Sequence, residues 1–110
     1  MYDVQHIEDT LIVRPEGEFD VHTAPVFRQD VEHSLEATRA RKLIVSLKSV
    51  SFIDSSGLGV LLGRHRRMVE LGGRMAIVSV PARIRPMLEL SGLFKVIPLF
   101  DSEKKALERM

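Results

Sequence analysis

The sequence predicts an α/β fold: a small, mixed, mostly parallel β-sheet flanked by about four α-helices. Three observations carry that prediction. "KLIVSL" (42–47) and "MAIVSV" (75–80) are continuous apolar runs without alternation, the pattern of strands covered on both faces in parallel sheets. The stretches around them repeat apolar residues at helical spacing. The chain has 110 residues, 45% hydrophobic and 28% charged, which suits one globular domain, 1–110, with a single core.

The elements follow in order. "YDVQHI" and "TLIVRP" are β-like runs separated by "ED", a hairpin with Leu11 and Val13 on one face. "EGEFDVHTAPVF" reads as a turn leading into a helix, with Thr23 as N-cap and Pro25 in the first turn, where no amide partner is needed. Phe27, Val31 and Leu35 give that helix a core face. After the strand "KLIVSL", a helix runs from about Ser56 to Leu71, with Leu58, Leu61, Leu62, His65 and Met68 or Val69 as its stripe. Gly72 and Gly73 end it. "RHRRM" within it reads as the wet face of the helix, or else as a partner-binding edge. "MAIVSV" is the next strand. "ARIRPMLELSG" is a helix with Ile84, Met87, Leu88 and Ser91 on one side, and Pro86 calls for a late start or a kink. "KVIPLF" is a short edge-like strand, because Pro98 cannot donate to a ladder. "DSEKKALERM" is a last helix capped by Asp101 or Ser102. There is no linker, repeat or low-complexity segment.

Composition excludes several classes. A net charge of +1 gives no electrostatic case for nucleic acid or a membrane surface. With no cysteine, disulfides, thiolate catalysis and zinc–thiolate sites are out. No apolar stretch approaches the ~20 residues that cross a bilayer. "MYDVQHIEDT" lacks the basic start and apolar run of a signal peptide, so a cytoplasmic location is expected.

The chemistry concentrates in "FIDSSGLGVLLGR" (52–64), at a strand-to-helix junction. In open parallel sheets ligands gather at the carboxyl ends of strands, and a helix start there offers free amides and partial positive charge. Asp54 or Ser55 as a helix cap, with Gly57 easing the turn, is the plainest reading. A nucleotide loop fits poorly, since the third glycine comes after three residues and no acid ends "MAIVSV". A hydrolase elbow needs glycine where Ile53 stands, and His6, His22, His33 and His65 offer no obvious base and no metal spacing. His65 lies on the core stripe and reads as a satisfied buried histidine. A covalent switch is the fourth reading. A hydroxyl at a helix start is accessible, and phosphate adds about −1.5 to −2 charges there. The residues permit this reading without selecting it.

"GEFD" (17–20), "SFIDSSGLGVLLGR", "LGGRMAIV" and "SGLFKVIPLFDSEKKAL" together resemble the bacterial anti-anti-sigma factors, which are single STAS domains (sulfate transporter and anti-sigma antagonist). The likeness runs from about Leu11 to Leu107, "DSSGLG" is its most specific part, and "SGLFKVI" tilts it to the sporulation, sigma-F branch. The resemblance implies a STAS fold. It also implies phosphorylation at Ser55 by an anti-sigma factor that is itself a serine kinase, with ATP as donor. The unphosphorylated form binds that anti-sigma factor and frees the sigma factor, and a PP2C-type phosphatase restores the serine. On this expectation the chain is no enzyme, carries no cofactor or metal, and has no nucleic-acid or membrane partner. Asp20, Asp54, Ser56, Gly57, Leu58 and Gly59 are its expected partner-binding residues. Asp20 is expected beside Ser55. Asp54 either orients the Ser55 hydroxyl or caps the helix. Gly57 and Gly59 permit close approach of a partner backbone or of the chain's own packing. Val21 stands where the family pattern has histidine, and Pro86 where it has a basic residue. The alternatives are a stress-response, sigma-B-type antagonist, or a constitutive STAS interaction module in which the serine is not modified.

Overall fold

The structure, a computed structural model, describes residues 2–110. Strands β1 (Tyr2–Ile7) and β2 (Thr10–Phe19) precede helix α1 (Ala24–Thr38). Strands β3 (Lys42–Ser46) and β4 (Ser49–Ile53) lead to α2 (Ser55–Glu70), and β5 (Arg74–Val78) leads to α3 (Arg85–Leu90). A 3-10 turn at Leu93–Lys95, strand β6 (Leu99–Phe100) and helix α4 (Glu103–Arg109) complete the fold. The sheet order is β1-β2-β3-β5-β6, with β4 also on β2. Only β1 pairs antiparallel; every other pair is parallel, so the mixed, mostly parallel sheet with four helices is the one anticipated.

Strand alternation sorts the core into two layers. Leu11, Val13, Leu43, Val45, Met75 and Ile77 join Phe27, Val31, Leu35, Leu61, Met68 and Leu88 of α1, α2 and α3 on one face. Ile12, Ile44 and Val78 turn to the other face, under Ala106 of α4. The central strands are therefore covered on both sides, which is why they carry no polar alternation. On the second face α4 is pinned by charge as well. Arg14 of β2 donates from Nε and Nη2 to the two carboxylate oxygens of Glu103, at 2.7 and 2.8 Å, a bidentate pair of the strong kind. Ser102, not Asp101, caps the helix through the Lys105 amide.

Five details depart from the sequence reading. The run "KVIPLF" is a strand only at Leu99–Phe100, since Lys95 closes the 3-10 turn before it. The stretch "EGEF" is not a turn but the second half of β2. Thr10–Val13 pair with β3 and Glu16–Phe19 with β4, across a register shift at Gly17/Glu18 where Gly17 takes φ +76°. Only glycine adopts that conformation cheaply. Strand β4 was not anticipated; it is only five residues long, and three of them, Phe52 included, are exposed. The stripe of α2 is Gly57, Val60, Leu61, Arg64 and Met68, so Leu62 and Val69 face outward while Arg64, assigned to the wet face, is only 5% exposed. Arg64 reaches back to α1, where its Nη1 donates to Glu32 at 2.7 Å; Arg67 Nε meets the same carboxylate at 3.1 Å. Burial alone would push the Glu32 carboxyl up, but the two guanidiniums outweigh it and hold it below its ordinary value. Finally, α3 spans six residues, starting late as Pro86 demands, and Met87 is exposed; Ile84 and Leu88 alone hold it to the core.

Candidate functional site

The parallel pairing of β2 with β4 makes the site. Phe19 lies opposite Ile53, so the two strands end together and the next residues, Asp20 and Asp54, emerge side by side. The Asp54 amide donates to the Phe19 carbonyl at 3.3 Å, tying the two exits. Phe19 also meets Phe27 of α1 edge to face, ring centroids 4.9 Å apart, a contact worth roughly 0.5–1.5 kcal/mol beyond its burial. That contact fixes the end of β2 against α1. The start of α1, the start of α2 and the ends of β2 and β4 thus share one edge of the molecule.

Asp54 is the N-cap of α2: its Oδ1 accepts from the Ser56 and Gly57 amides at 2.8 and 3.1 Å. Of the two roles anticipated for Asp54, the structure gives it the cap. The Ser55 hydroxyl is exposed at the first helical position and has no hydrogen-bond partner among the described residues. Ser56 is half-buried. Leu58 is half-buried and packs against the core. The two glycines separate. Gly57 is buried, and a Cβ there would overlap the Phe19 carbonyl oxygen and lie 2.7 Å from Ile53 Cγ1, so its own fold explains it. Gly59 is exposed, and a Cβ there meets nothing within 4 Å.

Asp20 holds its own turn. Its Oδ1 accepts from the His22 amide at 2.9 Å and the Thr23 amide at 3.1 Å. The Thr23 amide, with that of His22, holds the Asp20 carboxyl below the usual carboxylate range, so the group is anionic at neutral pH. Thr23 is not a side-chain cap for α1 as expected. Its hydroxyl accepts from the Asp20 amide and donates to the Glu18 carbonyl, both at 2.9 Å. The edge therefore presents an unbonded Ser55 hydroxyl at the start of α2 and two carboxylates, Asp20 and Asp54, each engaged with its own turn.

A groove of about 330 Å³ opens beside the serines, with Val21, Pro25 and Arg28 on the α1 side and Ser56, Gly59 and Val60 on the α2 side. Sequence reasoning did not find Arg28; a lone cation one turn into a helix carries no signal by itself. A larger cleft, about 450 Å³, lies at the other end of the two helices, between Glu32, Arg39, Arg41 and Arg67. It is roughly 18 Å away along α2 at 1.5 Å per residue. Two of its arginines are already engaged, Arg67 with Glu32 and Arg41 with the Gly72 carbonyl at 3.1 Å.

Among the described residues no histidine hydrogen-bonds to Ser55 or Ser56. His65 sits in the third turn of α2, half-buried rather than enclosed, and its buried Nδ1 has no partner, against the satisfied core histidine anticipated. Among the described residues no cluster of three or more metal-ligating side chains occurs, and no helix is long and apolar enough to cross a membrane.

Comparison with known proteins gives the site its relatives. A family model for the STAS domain matches residues 1–106. The anti-sigma F factor antagonist of Paenibacillus polymyxa is 38% identical over 108 residues, covering 98% of this chain and 92% of that one. The anti-sigma-B factor antagonist of Bacillus subtilis is 32% identical over 97 residues, 88% of this chain and 87% of its own. The anti-sigma factor antagonist SpoIIAA of Bacillus superposes at a TM-score of 0.84 in its unphosphorylated form, with 25% identity over 99% of this chain and 95% of that one. Its phosphorylated form gives 0.75 over 99% and 98%, also at 25% identity.

Proposed function

The chain belongs to the STAS domain family, and from that premise we propose that it is an anti-sigma factor antagonist switched by phosphorylation of Ser55. One observation carries the reading: at the edge where β2 and β4 end, the Ser55 hydroxyl is exposed and unbonded while the neighbouring carboxylates are occupied by their own turns. A capping serine would spend its oxygen on the helix amides. Asp54 already does so, which leaves Ser55 free to react.

The partner is an anti-sigma factor that is also a serine kinase. In the unphosphorylated form, the edge formed by Ser55, Asp20, Ser56, Leu58 and Gly59 docks on that kinase, and the sigma factor is set free. When ATP is bound there, Ser55 Oγ attacks the γ-phosphorus, the bond to the bridging oxygen breaks, ADP leaves and the serine proton passes to a base of the kinase. The chain is the substrate of this step and not its catalyst. The phosphate then carries about −1.5 to −2 charges at the α2 N-terminus. The helix tolerates it, since an anion there is worth ~0.3–1 kcal/mol of stabilisation. The docked surface does not, because a group that was neutral is now anionic beside the Asp20 and Asp54 carboxylates and opposite a face shaped for a hydroxyl. Release follows from local charge, without rearrangement of the fold. A PP2C-type phosphatase resets the serine.

Of the relatives named for sigma-F, one is 38% identical and another 28%, against 32% for one named for sigma-B; the sigma-F branch is taken first on the strength of the 38% relative, which spans 98% of this chain. The test is intact mass after incubation with a sporulation-type anti-sigma kinase and Mg-ATP, wild type beside Ser55→Ala. One added phosphate on wild type and none on the variant is expected. A stress-response kinase that modifies Ser55 when the sporulation type does not would reassign the branch. No phosphate from either active kinase would leave the chain a constitutive STAS module and refute the switch.

A further inference from the structure

The strand order β1-β2-β3-β5-β6 has two ends, and they are finished differently. At one end β6 is two residues long and follows Pro98, which has no amide to offer a neighbour. A short strand with proline beside it is a common guard against edge-to-edge pairing. At the other end β1 runs six residues against β2 without a register shift. It contains no lysine or proline, and Asp3, Val4, Gln5 and His6 are all exposed. Its one carboxylate is not left to guard the edge, because Asp3 Oδ2 accepts from Arg14 Nη1 at 2.7 Å.

The groups this edge offers are fixed by the hairpin. Antiparallel strands aim their amides and carbonyls at a given neighbour on every second residue. The turn between β1 and β2 is Glu8 and Asp9 alone, so the bonded pairs run from Ile7–Thr10 through Gln5–Ile12 to Asp3–Arg14. The backbone groups of Tyr2, Val4 and His6 therefore aim outward, away from β2. Side chains sort by the same alternation. Asp3 and Gln5 share the α4 face with Arg14, whose Nη2 donates to Gln5 Oε1 at 2.7 Å. Among the described residues each keeps one unused group: Asp3 Oδ1 is free to accept and Gln5 Nε2 to donate. Val4, 42% exposed, lies on the opposite face, beside Val13.

We propose that β1 takes a second copy of this chain: two copies pair antiparallel through β1, about a twofold axis at Val4, into one continuous sheet. A twofold axis normal to a sheet keeps each side chain on its own face, so odd residues meet odd and even meet even. Setting Asp3 against Asp3 would oppose like charges. Setting Gln5 against Gln5 would match only the outward backbone of Val4 and His6. With Val4 against Val4, the outward groups of Tyr2, Val4 and His6 meet those of His6, Val4 and Tyr2 in the second copy. The two valines then pack together, and the free Gln5 amide faces the free Asp3 oxygen across the axis. The strand is complementary to itself, in charge and in hydrogen bonding, at that register. The switch edge stays clear, because Phe19 lies roughly 20 Å along β2 from Val13, the residue opposite Val4. Each copy keeps its own Ser55 edge, and the pairing does not depend on modification of Ser55.

The experiment is sedimentation equilibrium on the full chain, with cysteine crosslinking to read the register. Wild type is expected to pass from monomer toward dimer between about 10 µM and about 1 mM, as suits a small interface. Val4→Lys sets like charges across the axis and is expected to weaken the dimer at least about tenfold while still unfolding cooperatively. Leu90→Lys, at a leucine 89% exposed on α3, is expected to leave it unchanged. The chain has no cysteine, so an introduced one reports the pairing alone. A hydrogen-bonded antiparallel pair sets its Cα atoms ~5.5 Å apart, within reach of a disulfide. Under mild oxidation Val4→Cys is expected to crosslink to itself and Gln5→Cys is not. A wild type that stays monomeric across the range would overturn the proposal. A dimer that survives Val4→Lys, or that Leu90→Lys breaks equally, lies elsewhere on the molecule and overturns it too. Crosslinking through Gln5→Cys in place of Val4→Cys would refute the register.

Discussion

Substituting alanine at Gly57 and at Gly59, two residues apart on one helix, should move stability in opposite directions. At Gly59 the new methyl meets nothing within 4 Å, so the change reduces to helix propensity, a gain of about 1 kcal/mol. At Gly57 the methyl overlaps the Phe19 carbonyl oxygen and sits 2.7 Å from Ile53 Cγ1, where carbon atoms rest at about 3.5–4.0 Å. Neither neighbour is a flexible tip: one is the backbone of β2, the other a strand side chain 2% exposed. Overpacking of this kind costs about 1–3 kcal/mol, and the rigid surroundings argue for the upper half. After the propensity gain, Gly57→Ala should lose about 1–2 kcal/mol, placing the variants roughly 2–3 kcal/mol apart. Urea unfolding with unchanged m-values reads this as a difference in midpoints. A Gly57→Ala protein as stable as wild type would refute the close approach of α2 to β2 that sets the position of Ser55. A destabilised Gly59→Ala would show that the open side of α2 is packed after all.

Other consequences concern the charges that fasten the helices. Arg64→Ala should cost about 2–3 kcal/mol, since it removes a buried aliphatic stem and leaves Glu32 half-paired, while Arg64→Met should recover most of the packing; chemical denaturation separates them. Glu32 and Glu103 both titrate below their ordinary value of 4.5, Glu103 chiefly through its bidentate bond from Arg14. A depressed carboxyl contributes stability above its unfolded pKa and loses it as pH falls through the folded value. The melting temperature should therefore hold from neutral pH to about 5 and fall below about 4.5. Glu103→Gln should start lower and fall less, and a wild-type profile flat into acid would contradict both pairs. Ser55→Asp should imitate the phosphoserine only in part, because it carries one charge rather than two. Its affinity for the kinase should lie between those of wild type and the phosphorylated protein.

Most of the architecture was legible in the residues because local pattern and global fold agree. The runs 42–47 and 75–80 are apolar on consecutive positions because both faces of β3 and β5 are covered, and the hydrophobic spacing of α1 survives intact at Phe27, Val31 and Leu35. The errors fall where tertiary context overrides pattern. Strand β4 exists because β2 bends past Gly17 and offers it a partner, a fact about β2 that no window on residues 49–53 contains. Arg64 is buried because Glu32, 32 residues away on α1, neutralises it; periodicity alone assigns an arginine to water. At the site, the junction at 52–57 was readable; Asp20 was placed near it only by the resemblance, and the pairing of β2 with β4 that brings the two strand ends together was not readable. The groove was not, because it needs α1 and α2 side by side.

The most direct test of the switch is the affinity of the sporulation-type anti-sigma kinase, loaded with Mg-ADP, for two forms of this chain: unmodified, and quantitatively phosphorylated on Ser55. The account predicts that the unmodified form binds at least about thirtyfold more tightly, the equivalent of roughly 2 kcal/mol of charge repulsion at the docked edge. Equal affinities would contradict it, whatever the mass spectrum says about where the phosphate goes.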